Sequence, residues 1–154
     1  MAANPLYFDT SYLVRLYLED NGFKAVRKLA AAAPTLVSAW HGQAETIAAL
    51  HRAYREGRFT AERYLFALNQ FKEEQHSTHF FWCVLTDKVQ ARLEKAFQSA
   101  PSSTFLRSAN ALHLACAAEH GFKEVYSNDR HFLAAAPSFG LQGINVIDGN
   151  LKFP

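Results

Sequence analysis

The apolar positions of this chain form short runs that predict strands and longer periodic stretches that predict helices. The predicted strands cover residues 6–8, 35–38, 79–85, 124–128 and 144–147. The predicted helices cover residues 11–18, 23–32, 39–56, 60–75, 87–98 and 105–120, and a short one starts at Arg130. Strands that alternate with helices in this way indicate a parallel sheet covered by helices.

Hydroxyl residues and apolar spacing add detail to several of these helices. The predicted N-caps, chosen because short hydroxyl side chains accept hydrogen bonds from the first free amides, are Ser11, Thr60, Thr86 and Thr104. In the helix over 39–56, the buried face is predicted at Ile47, Leu50 and Tyr54, which recur at helical spacing.

The overall composition is that of one globular domain spanning residues 1–154. Hydrophobic residues make up 49% of the 154 positions, which is enough to build a core without disulfides or structural metals. The formal net charge is only +2, so the sequence does not announce a polyanion partner by its total charge. Any surface for nucleic acid must therefore be a local patch.

The cysteines and the apolar runs indicate a cytoplasmic protein. Cys83 and Cys116 are far apart, have no metal-type spacing and lie among apolar residues, which predicts buried free thiols in a reducing compartment. No apolar run approaches the ~18 residues that a membrane helix needs, and the N-terminus lacks the pattern of a signal peptide. No membrane association is predicted.

Acidic residues follow two of the predicted strands. Asp9 and Asp129 each end a strand-like run, and the carboxyl ends of parallel strands share one edge of a sheet. Glu45 lies in the first turns of the helix after the second strand, near the same edge. Paired carboxylates suggest a divalent metal ion. Asn110 is a polar residue that interrupts an otherwise strongly apolar helix.

Four segments together resemble the motifs of PIN-domain ribonucleases, and most closely those of VapC-type toxins from type II toxin–antitoxin systems. They are residues 7–11, 44–45, 106–115 and 127–130, which read YFDTS, AE, LRSANALHLA and SNDR. Each segment alone is a weak motif, whereas the four in order and at this spacing are a strong one. The resemblance implies a three-layer α/β domain whose central parallel sheet has four to five strands flanked by helices.

The resemblance also implies a catalytic site. Asp9, Glu45 and Asp129 match the family acids that hold Mg²⁺ or Mn²⁺, while Asn110 stands where the third acid is normally an aspartate. Two serines, Ser11 and Ser127, match positions that support the acidic site. The implied activity is metal-dependent cleavage of structured RNA, and the implied partners are a small antitoxin and a second copy of the chain.

Asn110 predicts a weaker metal site and slower chemistry. Mg²⁺ often takes only one or two protein carboxylates directly, so the three remaining acids can still hold it. An amide oxygen can bind a metal, but it cannot accept a proton near pH 7. The chain is therefore expected to be a nuclease of reduced or abolished activity.

Several other polar residues also have predicted roles. Arg107 and Arg130 flank the acids in sequence and are predicted to contact phosphate. His113 is interpreted as a packed residue, and the pair His76 and His79 as a weak metal candidate without a third ligand. Four arginines around Gly57 are interpreted as a solvated face and as the first place to seek an antitoxin or RNA contact: Arg52, Arg55, Arg58 and Arg63.

Two alternative functions stay open at this point. The first is a non-catalytic module with the same fold that binds RNA or protein, since Asn110 degrades the site. The second is a phosphotransfer enzyme of the haloacid-dehalogenase type with Asp9 as its nucleophile. Such an enzyme needs a second aspartate two residues later, where this chain has Ser11.

Overall fold

The structure is a computed structural model that describes residues 3–147 and 151–153. Its strands are β1 (Leu6–Tyr7), β2 (Leu36–Ala39), β3 (Phe80–Cys83), β4 (Glu124–Tyr126), β5 (Gln142–Asn145) and β6 (Leu151–Phe153). Its helices are α1 (Thr10–Val14), α2 (Phe23–Ala32), α3 (Gly42–Arg55), α4 (Ala61–Glu74), α5 (Asp87–Ser99), α6 (Ser108–Glu119) and α7 (Arg130–Ala135), followed by a 3₁₀ turn over Ala136–Phe139.

The strands form two three-stranded sheets. The first has the order β1-β2-β3 and is parallel throughout. In the second, β4 and β5 are parallel and β6 is antiparallel to β5. A single parallel bridge between Phe8 and Tyr126 joins the two sheets. Their adjacent carboxyl ends define the edge from which α1 and α7 start.

The expected α/β architecture of parallel strands and flanking helices is confirmed, but the expected single sheet of four to five strands is wrong. The β1 strand has only two residues, because the chain turns into α1 at Asp9. The contact between the sheets is therefore one bridge, supported by the Asp9 amide, which donates to the Tyr126 carbonyl at 3.1 Å. A continuous ladder would need a longer first strand.

Several helix boundaries follow from local capping, as expected. The hydroxyl of Thr60 accepts the Arg63 amide and starts α4, and the hydroxyl of Thr86 accepts the Val89 amide and starts α5. The α2 helix covers the predicted residues.

Two predicted N-caps are wrong. The α1 helix is capped by Asp9, whose carboxylate accepts the Tyr12 amide, and Ser11 lies inside the helix. The α6 helix begins at Ser108 after Arg107, whose backbone is extended, so Thr104 lies in the preceding loop, where its amide donates to the Pro101 carbonyl. Both aspartates that follow strands thus have capping roles, since Asp129 caps α7 in the same way.

The buried face of α3 also differs from the expected one. Leu50 is buried as predicted, but its buried companions are Thr46 and Ala53, at i−4 and i+3. Ile47 is 40% exposed and Tyr54 is 39% exposed. The small Thr46 and Ala53 side chains allow close packing, so α3 buries less bulk than its large apolar residues suggest.

The α6 helix lies in the middle of the protein and packs against α5 and β2. Four of its central residues are fully buried, and three of them are small, which lets neighbouring backbones approach from several sides: Leu114, Ala115, Cys116 and Ala117. Cys83 and Cys116 are buried free thiols, as predicted. Within the described residues, no helix is long and apolar enough to cross a membrane.

Candidate active site

A polar pocket of about 210 Å³ lies at the carboxyl edge of the strands. All four residues predicted to be catalytic line it, and the whole lining consists of Asp9, Thr10, Ser11, Glu45, Arg107, Ala109, Asn110, His113 and Asp129. A larger cavity of about 690 Å³ contains none of the predicted catalytic residues and is lined by segments such as residues 3–6 and 120–124. The chemistry therefore points to the smaller pocket.

Asp9 is almost completely buried, with 4% of its surface exposed. Its Oδ1 accepts the Ser11 hydroxyl at 2.6 Å and the Tyr12 amide at 3.2 Å, and its Oδ2 accepts the Ser127 hydroxyl at 2.5 Å. Burial raises the pKa of Asp9, although these hydrogen bonds act in the opposite direction. Ser11 and Ser127 thus lie beside Asp9, where the sequence predicted supporting residues.

Asp129 uses one oxygen for the fold and presents the other to the pocket. Its Oδ1 accepts the amides of His131 at 2.8 Å and Phe132 at 3.3 Å, which caps α7. Its Oδ2 accepts the side-chain amide of Asn110 at 3.2 Å. The Asp129 backbone amide donates to the Ser127 hydroxyl at 2.9 Å, so one serine connects both strand-end aspartates.

Asn110 lies at the pocket, directly beside Asp129. Its Nδ2 donates to a carboxylate oxygen, so it supplies a neutral donor in the place where a carboxylate would supply a second negative charge. An aspartate at this position would face Asp129 at similar range, and such a pair is stable only when one member is protonated or a cation lies between them.

Glu45 is held by a hydroxyl and an imidazole. Its Oε1 accepts the Thr10 hydroxyl at 2.9 Å and lies 2.7 Å from Nε2 of His113. Burial alone would raise the pKa of Glu45, but the hydrogen bond and charge of His113 outweigh it, so the pKa of this carboxyl lies below its usual value. Glu45 therefore stays ionised under most conditions.

His113 was predicted to be a packed residue, and it is, with only 1% of its surface exposed. It also holds Glu45, which the sequence did not predict. Its Nδ1 lies 3.1 Å from the hydroxyl of Tyr7, and its Nε2 faces Glu45. The signal that could have revealed this role is a polar ring one turn after Asn110 in an otherwise apolar helix.

His41 is a second residue that sequence reasoning missed. Its ring lies 4.2 Å from the ring of His113, and its Nε2 lies 3.4 Å from Oε1 of Glu45. Burial, followed by the neighbouring charge of His113, lowers the pKa of His41. The spacing of His41 and Glu45, four residues apart on one helix face, was the available signal.

Of the two arginines predicted to contact phosphate, only Arg107 lines the pocket. Its guanidinium lies 5.1 Å from the centre of the Phe105 ring. Arg130 is exposed and does not line the pocket, and its predicted phosphate contact stays a prediction. Arg130 is the first residue of α7, and it directly follows Asp129, whose carboxylate caps this helix.

The donor set of the pocket fits a hard divalent cation. Asp9, Glu45 and Asp129 supply carboxylate oxygens, which Mg²⁺ and Mn²⁺ prefer. Each carboxylate has an oxygen oriented by a hydrogen bond within the protein, which is how metal ligands are usually prepared. In the described part of the chain, however, the one trio of metal-ligating side chains within 4.8 Å of one another is His41, Glu45 and His113.

Comparison with known proteins places these observations in a family. The PIN domain model matches residues 6–136. Among solved structures, the chain is similar to Mycobacterium tuberculosis VapC20, described as a Sarcin-Ricin loop cleaving toxin, with a TM-score of 0.64 and 20% sequence identity. That match covers 84% of this chain and 94% of the VapC20 chain, and it shows a shared fold. No curated protein matches the chain.

Proposed function

This chain belongs to the PIN-domain family, and on that premise we propose that it is a Mg²⁺- or Mn²⁺-dependent endoribonuclease, the toxin of a toxin–antitoxin pair. The observation that carries the proposal is the pocket itself. Three carboxylates that are distant in sequence, Asp9, Glu45 and Asp129, line one small cavity at the carboxyl edge of the strands. Open α/β sheets bind their ligands at this edge.

The proposed roles follow from the hydrogen bonds of each residue. Asp9, Glu45 and Asp129 would hold the cation, which when bound supplies a deprotonated water and stabilises the leaving oxygen of a phosphodiester. Ser11 and Ser127 keep the buried Asp9 oriented. Arg107, at the rim of the pocket, is suited to hold a phosphate oxygen of the RNA backbone.

Asn110 is proposed to reduce this activity. Its amide donates to Asp129 Oδ2, the oxygen of that residue that faces the pocket. A cation at this oxygen must displace that hydrogen bond and gains no charge from Asn110 in return. The same contact favours the alternative function, a PIN-like module that binds RNA or protein without cleaving it. Without a metal ion, the Asn110 amide already provides Asp129 Oδ2 with a hydrogen-bond donor.

The proposed partners are structured RNA, a small antitoxin and a second copy of the chain, in the cytoplasm. VapC20 is described as cleaving the Sarcin-Ricin loop, which supports structured RNA as the substrate class. Apolar side chains exposed along α3 and α4 support a protein contact there, since such patches commonly mark interaction sites; they are Ile47, Tyr54, Leu65 and Phe66.

The substitution Asn110→Asp tests the proposal. It is expected to tighten Mn²⁺ binding by about tenfold or more, since it adds a carboxylate beside Asp129, and to produce or increase cleavage of structured RNA. Binding is measured by calorimetry and cleavage by gel electrophoresis of labelled RNA. Asn69→Asp, on an exposed position of α4, is the matched control for the added charge.

A second variant tests whether any RNA cleavage gained by Asn110→Asp takes place in the pocket. Adding Glu45→Gln to Asn110→Asp is expected to remove the gained cleavage. If Asn110→Asp improves neither Mn²⁺ binding nor cleavage while Asn69→Asp behaves like the unsubstituted chain, the nuclease proposal fails and the binding module is favoured.

A further inference from the structure

His41, Glu45 and His113 form a compact set of potential metal ligands, of which only Glu45 belongs to the acidic site. One ligand atom from each residue lies within 4.8 Å of the other two. His41 and Glu45 are four residues apart at the start of α3, so their side chains share a helix face. His113 reaches them from α6. The set therefore joins two helices beside the pocket.

The environment of His41 is not explained by the fold alone. It occupies the N-cap position of α3, yet its side chain makes no capping hydrogen bond. Its Nε2 lies 3.0 Å from the Ala109 carbonyl. Its Nδ1 is buried and has no hydrogen-bond partner within the part of the chain that the structure describes. A buried ring nitrogen without a partner is costly and is uncommon unless it serves a ligand.

The other two ligands are oriented by neighbouring groups, as in protein metal sites. The hydroxyl of Tyr7 lies 3.1 Å from Nδ1 of His113 and orients the ring so that Nε2 faces Glu45. The hydroxyl of Thr10 donates to Glu45 Oε1. Outer partners of this kind set the orientation of ligating imidazoles and carboxylates.

We infer that His41, Glu45 and His113 form a binding site for a transition-metal ion such as Zn²⁺, next to the carboxylate site and sharing Glu45 with it. Two imidazoles and one carboxylate are the donors that Zn²⁺ and Co²⁺ prefer, whereas Mg²⁺ prefers oxygen ligands. Three protein ligands leave a fourth position for water, and Glu45 and His113 both line the pocket, which provides access.

Because the two sites share Glu45, binding of Zn²⁺ should affect RNA cleavage, an expectation that rests on the proposed nuclease function. Zn²⁺ bound to Glu45 withdraws this ligand from the acidic site. Micromolar Zn²⁺ is therefore expected to inhibit Mn²⁺-dependent cleavage by the Asn110→Asp variant, while the metal binding itself requires neither RNA nor activity.

The binding is tested on the full chain with Co²⁺, followed by its visible absorption, and with Zn²⁺ in calorimetry. The expected result is one ion per chain with the absorption of a low-coordinate Co²⁺ bound by nitrogen. His41→Gln, whose amide can still donate to Ala109, is expected to weaken binding by about tenfold or more, since even outer partners of a metal site are worth ~10–100-fold. Circular dichroism checks that the variant folds.

Two controls separate this site from other histidines and from the acidic site. The double variant His76→Gln/His79→Gln, in the segment before β3, is expected to bind Co²⁺ like the unsubstituted chain. Asp129→Asn is expected to retain Co²⁺ binding. The inference is overturned if no saturable Co²⁺ or Zn²⁺ binding occurs, if His41→Gln binds as tightly as the unsubstituted chain, or if Asp129→Asn abolishes binding. None of these results bears on whether Asn110→Asp gains Mn²⁺-dependent cleavage, so the two proposals fail separately.

Discussion

The pocket holds two of its carboxylates, Asp9 and Glu45, in opposite environments. In the serine region, formed by Asp9, Ser11 and Ser127, a nearly buried carboxylate is surrounded by neutral hydroxyls. Burial dominates there and raises the pKa of Asp9. The fold therefore disfavours the negative charge of Asp9.

In the histidine region, formed by His41, Glu45, Thr10 and His113, the carboxylate lies beside two imidazoles. Burial acts to raise the pKa of Glu45, but the hydrogen bond and charge of His113, with smaller contributions from the Thr10 hydroxyl and the charge of His41, outweigh it and lower this pKa. The two regions differ in burial as well as in partners, because Asp9 is nearly buried among hydroxyls, whereas Glu45 is one-third exposed and faces imidazoles that favour its charged form. A cation is therefore most needed in the serine region, where it would offset a disfavoured negative charge.

The largest expected effect is in the histidine region. His113→Ala removes a buried ring together with its contacts to Tyr7 and Glu45, and should lower the free energy of unfolding by about 3 kcal/mol. Chemical denaturation measures the change. The matched control is His76→Ala, at an exposed position before β3, which should cost under ~0.5 kcal/mol. Equal costs for the two variants would contradict the assigned role of His113.

The next effect is in the serine region. Ser127→Ala leaves Asp9 Oδ2 and the Asp129 amide without their hydroxyl partner, and should lower the free energy of unfolding by about 2 kcal/mol. Ser138→Ala, on the exposed 3₁₀ turn, is the control and should have almost no effect. If Ser127→Ala also proves neutral, the hydroxyl does not stabilise Asp9 as described.

A third substitution should stabilise the protein. Without divalent cations, Asp9→Asn removes a charge that the fold disfavours, and should raise the free energy of unfolding by about 1 kcal/mol at pH 7. Because the folded pKa of Asp9 lies above the unfolded one, its penalty is absent below the unfolded pKa and grows as the pH rises towards the folded pKa. The gain should vanish near pH 3. Denaturation at both pH values tests this, and destabilisation at pH 7 would refute it.

The smallest effect has the opposite sign. Glu45→Gln should destabilise the protein at pH 7 by less than about 1 kcal/mol, because Glu45 is one-third exposed and solvent screens its partners. Since the folded pKa of Glu45 lies below the unfolded one, its stabilisation is present above the unfolded pKa and is lost as the pH falls through the folded pKa. The two variants should therefore differ in sign at pH 7 and converge in acid. If Asp9→Asn and Glu45→Gln changed the free energy of unfolding in the same direction at pH 7, the two carboxylates would not differ in the way described.

Much of the candidate site was predictable because its residues stand in recognisable local contexts. Asp9 and Asp129 follow apolar runs, Glu45 opens a helix, and Asn110 interrupts an apolar one. These signals are local, and they lead to residues that line one pocket. Closeness in sequence is a weaker guide at Arg130, which directly follows Asp129 and yet does not line the pocket.

Local patterns in the chain were enough to predict the order of the helices and of β1 to β5, the caps at Thr60 and Thr86, and the family, since these depend on periodicity, hydroxyl spacing and ordered motifs. The strand β6 was not predicted. The folded structure was needed to show that the strands divide into two sheets joined at Phe8 and Tyr126, and that His113 orients Glu45 from 68 residues away. Both features depend on contacts between residues that are far apart along the chain. Capping and periodicity act within a few residues, whereas the bonds that set the charge of a buried carboxylate come from whichever elements the packing brings beside it.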